Sequence, residues 1–96
     1  MRVILHVTAG PEAGRRIDLR DGLTASIGQS EWSDFSIERD NQMADIHFIV
    51  RCAELDCYFQ IAQQTHVTTL NGEPAAETRL HTGDKINAGQ SEFVLD

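Results

Sequence analysis

At 96 residues, 41% of them hydrophobic and 24% charged, the chain has material for one small core and no second. Fifteen acidic against eight basic residues leave a formal charge of −7, which excludes a broad basic footprint for nucleic acid or for an anionic bilayer. No run approaches the ~18 apolar residues of a membrane span. The start lacks the charged-then-apolar block of a signal peptide, so a cytoplasmic location without membrane insertion is expected. A single domain over residues 1–96 is expected, either alone or within a longer protein.

In chain order, Val3, Leu5 and Val7 alternate with Ile4 and His6, which predicts a first strand. Gly10, Pro11 and Gly14 mark a turn. Arg16 to Leu19 reads as a second strand, and Asp21-Gly22 as a hairpin turn into a third, Leu23 to Ile27. Gly28 ends that strand, and Gln29 to Ser33 is loop. Phe35 to Ile37 is a brief strand, and Glu38 to Ala44 is polar and turn-like. Ile46 to Cys52 carries the strongest strand pattern, with Phe48, Val50 and Cys52 on one face. Ala53 to Asp56 is expected as a four-residue loop, after which Cys57 to Ala62 returns with Cys57, Phe59 and Ile61 facing inward.

Thr68 to Leu70 runs into Asn71-Gly72, a hairpin signal of the type I′ kind. Pro74 to Thr78 reads as irregular. Turns at Gly83 and Gly89 separate the closing strands, Lys85 to Ala88 and Glu92 to Leu95. About ten or eleven short, mainly antiparallel strands, with turn signals every 8–12 residues, indicate an all-β fold, a two-sheet β-sandwich or barrel.

Chemistry-bearing residues are few. No second His or carboxylate is spaced to form a metal site with His47, and no nucleophile–base pair or glycine-rich phosphate loop is present. An enzyme, a metal and a cofactor are therefore not expected. Cys52 and Cys57 are read as buried, reduced thiols; a cross-strand disulfide is the other arrangement their positions allow in a suitable register. Trp32, an aromatic in a polar loop, marks either a partner contact or a small core beneath the loop. His66 is read as solvated.

The order of these pieces resembles the forkhead-associated (FHA) domain. The resemblance rests on Gly10-Pro11-x-x-Gly14, Ile27-Gly28, Ser33-Asp34 followed by Ile37 and Asp40, His47, Leu70-Asn71-Gly72, and Leu80-x-x-Gly83-Asp84-x-Ile86-x-x-Gly89 before Phe93. It implies two packed β-sheets with a binding site made by loops at one end, and recognition of phosphothreonine in a partner protein. It also implies a structural role for His47 in holding those loops. A phosphate needs an Arg fork, a hydroxyl and N–H donors.

The positions that supply these in the family differ here. The Arg after the glycine is Gln29, the Ser of the family's SRxH motif is Ala44, and the basic residue after it is Asp45. The family's first Asn-Gly falls at His66-Val67. Only Ser30, Thr65 or Thr68 offers a hydroxyl nearby. Each lost charge-assisted contact is worth ~1.5–3 kcal/mol, and Asp45 adds repulsion.

The expected function is therefore a protein–protein interaction module, independent of phosphate, using Gln29, Ser30, Trp32, Ala44, Asp45, His66 and Thr68. Gly28, His47 and Asn71 are expected to support that site. The alternative is phosphothreonine-peptide recognition in signalling through other residues: Ser30, Thr68, Arg39 or backbone amides. Asp45 and Glu31 favour the first reading; Arg39 turned into the site would favour the second. By analogy with degenerate members of the family, bacterial secretion machinery is one setting.

Overall fold

The computed structural model describes residues 2–20, 22–53, 56–62 and 68–96. Among these residues the chain forms eleven strands: β1 (Arg2–Ala9), β2 (Arg16–Arg20), β3 (Thr24–Gly28), β4 (Phe35–Ser36), β5 (Phe48–Ala53), β6 (Asp56–Ile61), β7 (Thr68–Leu70), β8 (Glu73–Pro74), β9 (Glu77–Leu80), β10 (Lys85–Ala88) and β11 (Ser91–Leu95). They make two sheets. One is six-stranded in the order β2-β1-β11-β10-β7-β8, and the other five-stranded in the order β4-β3-β5-β6-β9. Every pairing is antiparallel except β3 with β4.

Period-two alternation sends one face of each strand inward. On β1, Val3, Leu5 and Val7 are buried, and Leu19 and Ile17 lie opposite Val3 and Leu5 on β2. From the facing sheet come Ala25 and Ile27, Phe48 and Val50, and Phe59. The middle of the core is a group of three fully buried rings. Phe48 meets Phe59 at 5.6 Å and Phe93 at 5.3 Å, the latter nearly edge-to-face at 76°. Each ring contributes roughly 1.5–3 kcal/mol by leaving water, and it ties β11 of one sheet to β5 and β6 of the other.

Four features differ from the sequence reading. Asp21-Gly22 does not close a hairpin. β2 and β3 lie in different sheets, and the turn carries the chain between them, with the Gly22 N–H donating to the Cys52 carbonyl at 2.7 Å. Asp21 itself lies outside the described residues. A turn signal fixes a reversal, not the strand that follows it; the apolar face of Ala25 and Ile27 is satisfied beside β5.

Ala53 and Asp56 are paired strand residues instead of loop. The stretch expected to be irregular after Asn71-Gly72 holds β8 and β9. β8 is an edge strand, where Pro74 forfeits no needed hydrogen bond, and β9 completes the second sheet against β6. Asn71 and Gly72, at φ 53° and 87°, form the expected type I′ turn.

The fourth correction concerns the cysteines. Cys52 and Cys57 face each other across β5 and β6, their Cα atoms 4.1 Å apart, and are joined in a disulfide instead of standing as free thiols. The Cys52 backbone turns toward β3, its N–H donating to Leu23 and its carbonyl accepting from Gly22. The pair with Cys57 is therefore of the non-hydrogen-bonded kind, in which side chains approach most closely. Disulfides persist in oxidising compartments, whereas reduced thiols were the arrangement that fits the expected cytoplasmic location.

Candidate functional site

The loops β1–β2, β3–β4, β4–β5 and β10–β11 gather at one end of the sandwich, where β7 also begins. Gly28 sets their closest approach. It ends β3 directly against the backbone of residues 45 and 46: a Cβ there would lie 2.1 Å from the Asp45 carbonyl oxygen. The strand and the incoming β4–β5 loop touch only because no side chain intervenes. Backbone bonds extend the contact, from the Gln29 N–H to Ala44 O and from the Ser30 N–H to Asp45 O.

The β3–β4 loop is braced from within. The Trp32 N–H donates to Ser30 Oγ, the Ser33 N–H to Ser30 O, and Ser36 Oγ to Ser30 O at 2.8 Å. The Ser33 hydroxyl donates to Asp45 O at 2.8 Å, and Asp34 accepts from both the amide and the hydroxyl of Ser26. The Ser33-Asp34 pair thus holds the loop rather than facing a ligand. On this brace Trp32 is 85% exposed. Of the two readings open for it, an inward core is ruled out.

Two buried polar side chains hold the opposite wall. His47 is fully buried; its Nδ1 accepts the Ala44 N–H at 2.9 Å and its Nε2 pairs with Thr68 Oγ1 at 2.8 Å. A ring nitrogen that accepts leaves the other as donor, so Nε2–H donates to the threonine hydroxyl. His47 links the β4–β5 loop to the start of β7. Asp40, also fully buried, accepts from the Gln42 N–H, the Gln90 N–H and Ser91 Oγ, fastening the same loop to the β10–β11 turn. The buried carboxylate was legible only as an acidic position of the motif; its partners in the β10–β11 turn, Gln90 and Ser91, come from about fifty residues away, where no local signal points to them.

The structure sorts the predicted site residues. Gln29, Ser30, Trp32 and Asp45 lie together at the loop end. The Gln29 side chain is half-buried and donates from Nε2 to Glu38 O at 3.1 Å. Asp45 is exposed. Ala44 and Thr68 are buried, Thr68 with its hydroxyl on His47, so both support the loops from inside. His66, with Thr65 and Val67, lies outside the described residues.

Asn71 sits at the other end of the sandwich. Its side chain donates to Asp84 and accepts from the Lys85 N–H, closing the turns there. The expectation that it supports the binding loops is corrected: β7 starts at the loop end with Thr68 and runs away from it, carrying Asn71 to the far end.

Beside the loops lies a cleft of about 390 Å³ lined by Glu12, Arg15, Ser36, Glu38 and Arg39. Arg15 is held by Glu12 and by the Ser36 carbonyl. Arg39 is exposed, and its backbone N–H donates to Glu12. It is not turned into the loop end. Among the described residues no group of three or more potential metal ligands is found, and no helix is long and apolar enough to cross a membrane.

A two-sheet sandwich whose loops are fixed by a glycine, a buried His and a Ser-Asp pair defines a protein-binding scaffold rather than a reaction centre. The FHA domain family model matches residues 25–89, and the chain belongs to this family. Its members are non-catalytic protein-interaction modules that generally bind phosphothreonine-containing partners.

Many solved structures share the fold, and three of them show its range. One, from a structural and functional study of phosphothreonine-dependent FHA interactions, is 27% identical with TM-score 0.87, over 99% of this chain and 95% of that one. The FhaA FHA domain complexed with the intracellular domain of Rv3910 is 28% identical with TM-score 0.86, over 98% and 99%. The cytoplasmic domain of the type III secretion sorting platform protein PscD from P. aeruginosa is 14% identical with TM-score 0.84, over 100% and 80%, a likeness of fold alone. Comparison with curated proteins finds no match.

Proposed function

We propose that the domain binds a segment of a partner protein at its loop end without requiring a phosphate on it. One observation carries this. Where a phosphate clamp needs cation and hydroxyl, the loop end offers Gln29 bonded to the Glu38 carbonyl, the buried methyl of Ala44 and the exposed carboxylate of Asp45. A phosphate with nearly two negative charges would meet repulsion there instead of a charge-assisted bond.

Phosphothreonine-peptide recognition is the second reading. It is favoured by the family and by the structure described as phosphothreonine-dependent, which is 27% identical along nearly the whole chain. In that reading Ser30, backbone amides and Arg39 from the neighbouring cleft would replace the usual contacts.

Selection of peptides from paired phosphorylated and unphosphorylated threonine libraries, with binding mapped on the labelled domain by NMR, separates the two. Unphosphorylated binders that perturb Gln29, Trp32 and Asp45 are the expected result. Micromolar binding that vanishes on dephosphorylation, and that Arg39→Glu abolishes, would establish the second reading. A cytoplasmic location and a place in a secretion assembly remain proposals that rest on kinship; the PscD likeness, at 14% identity, supports the second only as fold.

A further inference from the structure

We propose that the partner segment taken at the loop end is cationic, with an arginine or lysine side chain laid on the Trp32 indole and its charge met by Glu31 and Asp45. The inference rests on the loop end being the binding face and adds the chemistry of what binds.

Trp32 carries it. An indole 85% exposed holds a large apolar surface in water that a partner would remove, and here it is displayed by a loop already fixed through Ser30, Ser33, Ser36 and Asp45. A fixed loop loses little conformational freedom on binding, so the ring is ready as an anchor. Tryptophan is the best aromatic partner for a guanidinium or ammonium group.

The surrounding charge selects the same occupant. Glu31 precedes the ring, and the Asp45 carbonyl receives bonds from Ser30 and Ser33, the two residues that bracket Glu31 and Trp32. Both acidic residues are exposed. The nearby guanidinium of Arg15 is turned away to Glu12 and the Ser36 carbonyl, and Arg39 lies in the cleft that also holds Glu12 and Glu38. The formal charge of −7 extends the attraction over the whole approach. A second copy of the chain bears the same negative charge and is disfavoured.

Trp32 is the sole tryptophan, so its fluorescence reports the site directly. Short peptides of alternating glycine and arginine, glycine and glutamine, or glycine and glutamate serve as probes. The arginine peptide should shift the emission and bind roughly tenfold or more tightly than the glutamine peptide, the glutamate peptide should be silent, and added salt should weaken the binding. The double variant Glu31→Lys, Asp45→Arg should reverse the preference, and Trp32→Ala should abolish arginine-peptide binding by calorimetry while the circular dichroism is unchanged.

Equal binding of all three probes, or an arginine preference that survives charge reversal, overturns the proposal. So does concentration-dependent self-association that buries Trp32. Library peptides that map to the loop end with no excess of arginine or lysine overturn this inference and leave the loop-end reading intact. Peptides that map to another face overturn both.

Discussion

Replacing Gly28 by Ala would set a methyl carbon 2.1 Å from the Asp45 carbonyl oxygen, and the neighbour in the way is backbone, which cannot swing aside. The expected loss is about 3 kcal/mol or more, at the upper end of what overpacking costs. His47→Ala leaves the Ala44 N–H and the Thr68 hydroxyl without their buried partner and opens a cavity, for a loss of about 2–4 kcal/mol. Gln29→Ala removes one half-buried bond to the Glu38 carbonyl and should cost about 1 kcal/mol or less. Urea denaturation of the three variants tests this order. A melting temperature for His47→Ala equal to that of the parent would remove the bracing role from the imidazole. The loop end is thus read at single-residue resolution: Gly28, Asp40 and His47 shape it, and Trp32, Glu31 and Asp45 give it a surface.

At the scale of strands, the β5–β6 hairpin is held by its ladder, by Phe48 against Phe59, and by the Cys52–Cys57 bond across a sequence separation of only 5. A cross-link closing so short a loop removes little freedom from the unfolded chain, about 2 kcal/mol on the loop-entropy relation. Denaturation with and without dithiothreitol should show that loss with the sheet retained. No change in midpoint would show that the bond adds nothing to stability.

The strong elements of this sheet were legible, because Phe48, Val50 and Cys52 alternate cleanly and a strand buried on one face must show that period. β9 was not legible. Glu77 to Leu80 buries only Leu80 fully, so an edge strand solvated on most of its length shows no period. The same limit applies to the loop end. That Gln29, Ala44 and Asp45 stand where the family motif has its Arg, its Ser and its basic residue could be read by position in the sequence. That Thr68 is buried on His47, and that Asn71 belongs to the far end, depended on where β7 lies between β10 and β8, which no local pattern encodes.

Across the whole molecule, the first and last strands are neighbours. β11 lies between β1 and β10, with Leu5 opposite Leu95 and Val7 opposite Phe93. β11 therefore completes both the six-stranded sheet and the three-ring core. A chain ending after Gln90 would lose the ladder to two strands and the Phe93 ring, whose removal alone is worth about 3–5 kcal/mol. It should lack a cooperative thermal transition; a sharp transition near that of the intact chain would contradict the central place given to β11.

The same pairing has a practical reach. Ile4 and Asp96 exchange two backbone hydrogen bonds, so the chain enters and leaves the sandwich side by side, at the end away from Trp32. A tether, a second domain or a solid support joined at either terminus sits behind the sandwich and points the loops outward. Such an attachment can be lengthened, shortened or exchanged without touching the loop end, much as a plug is independent of its cable.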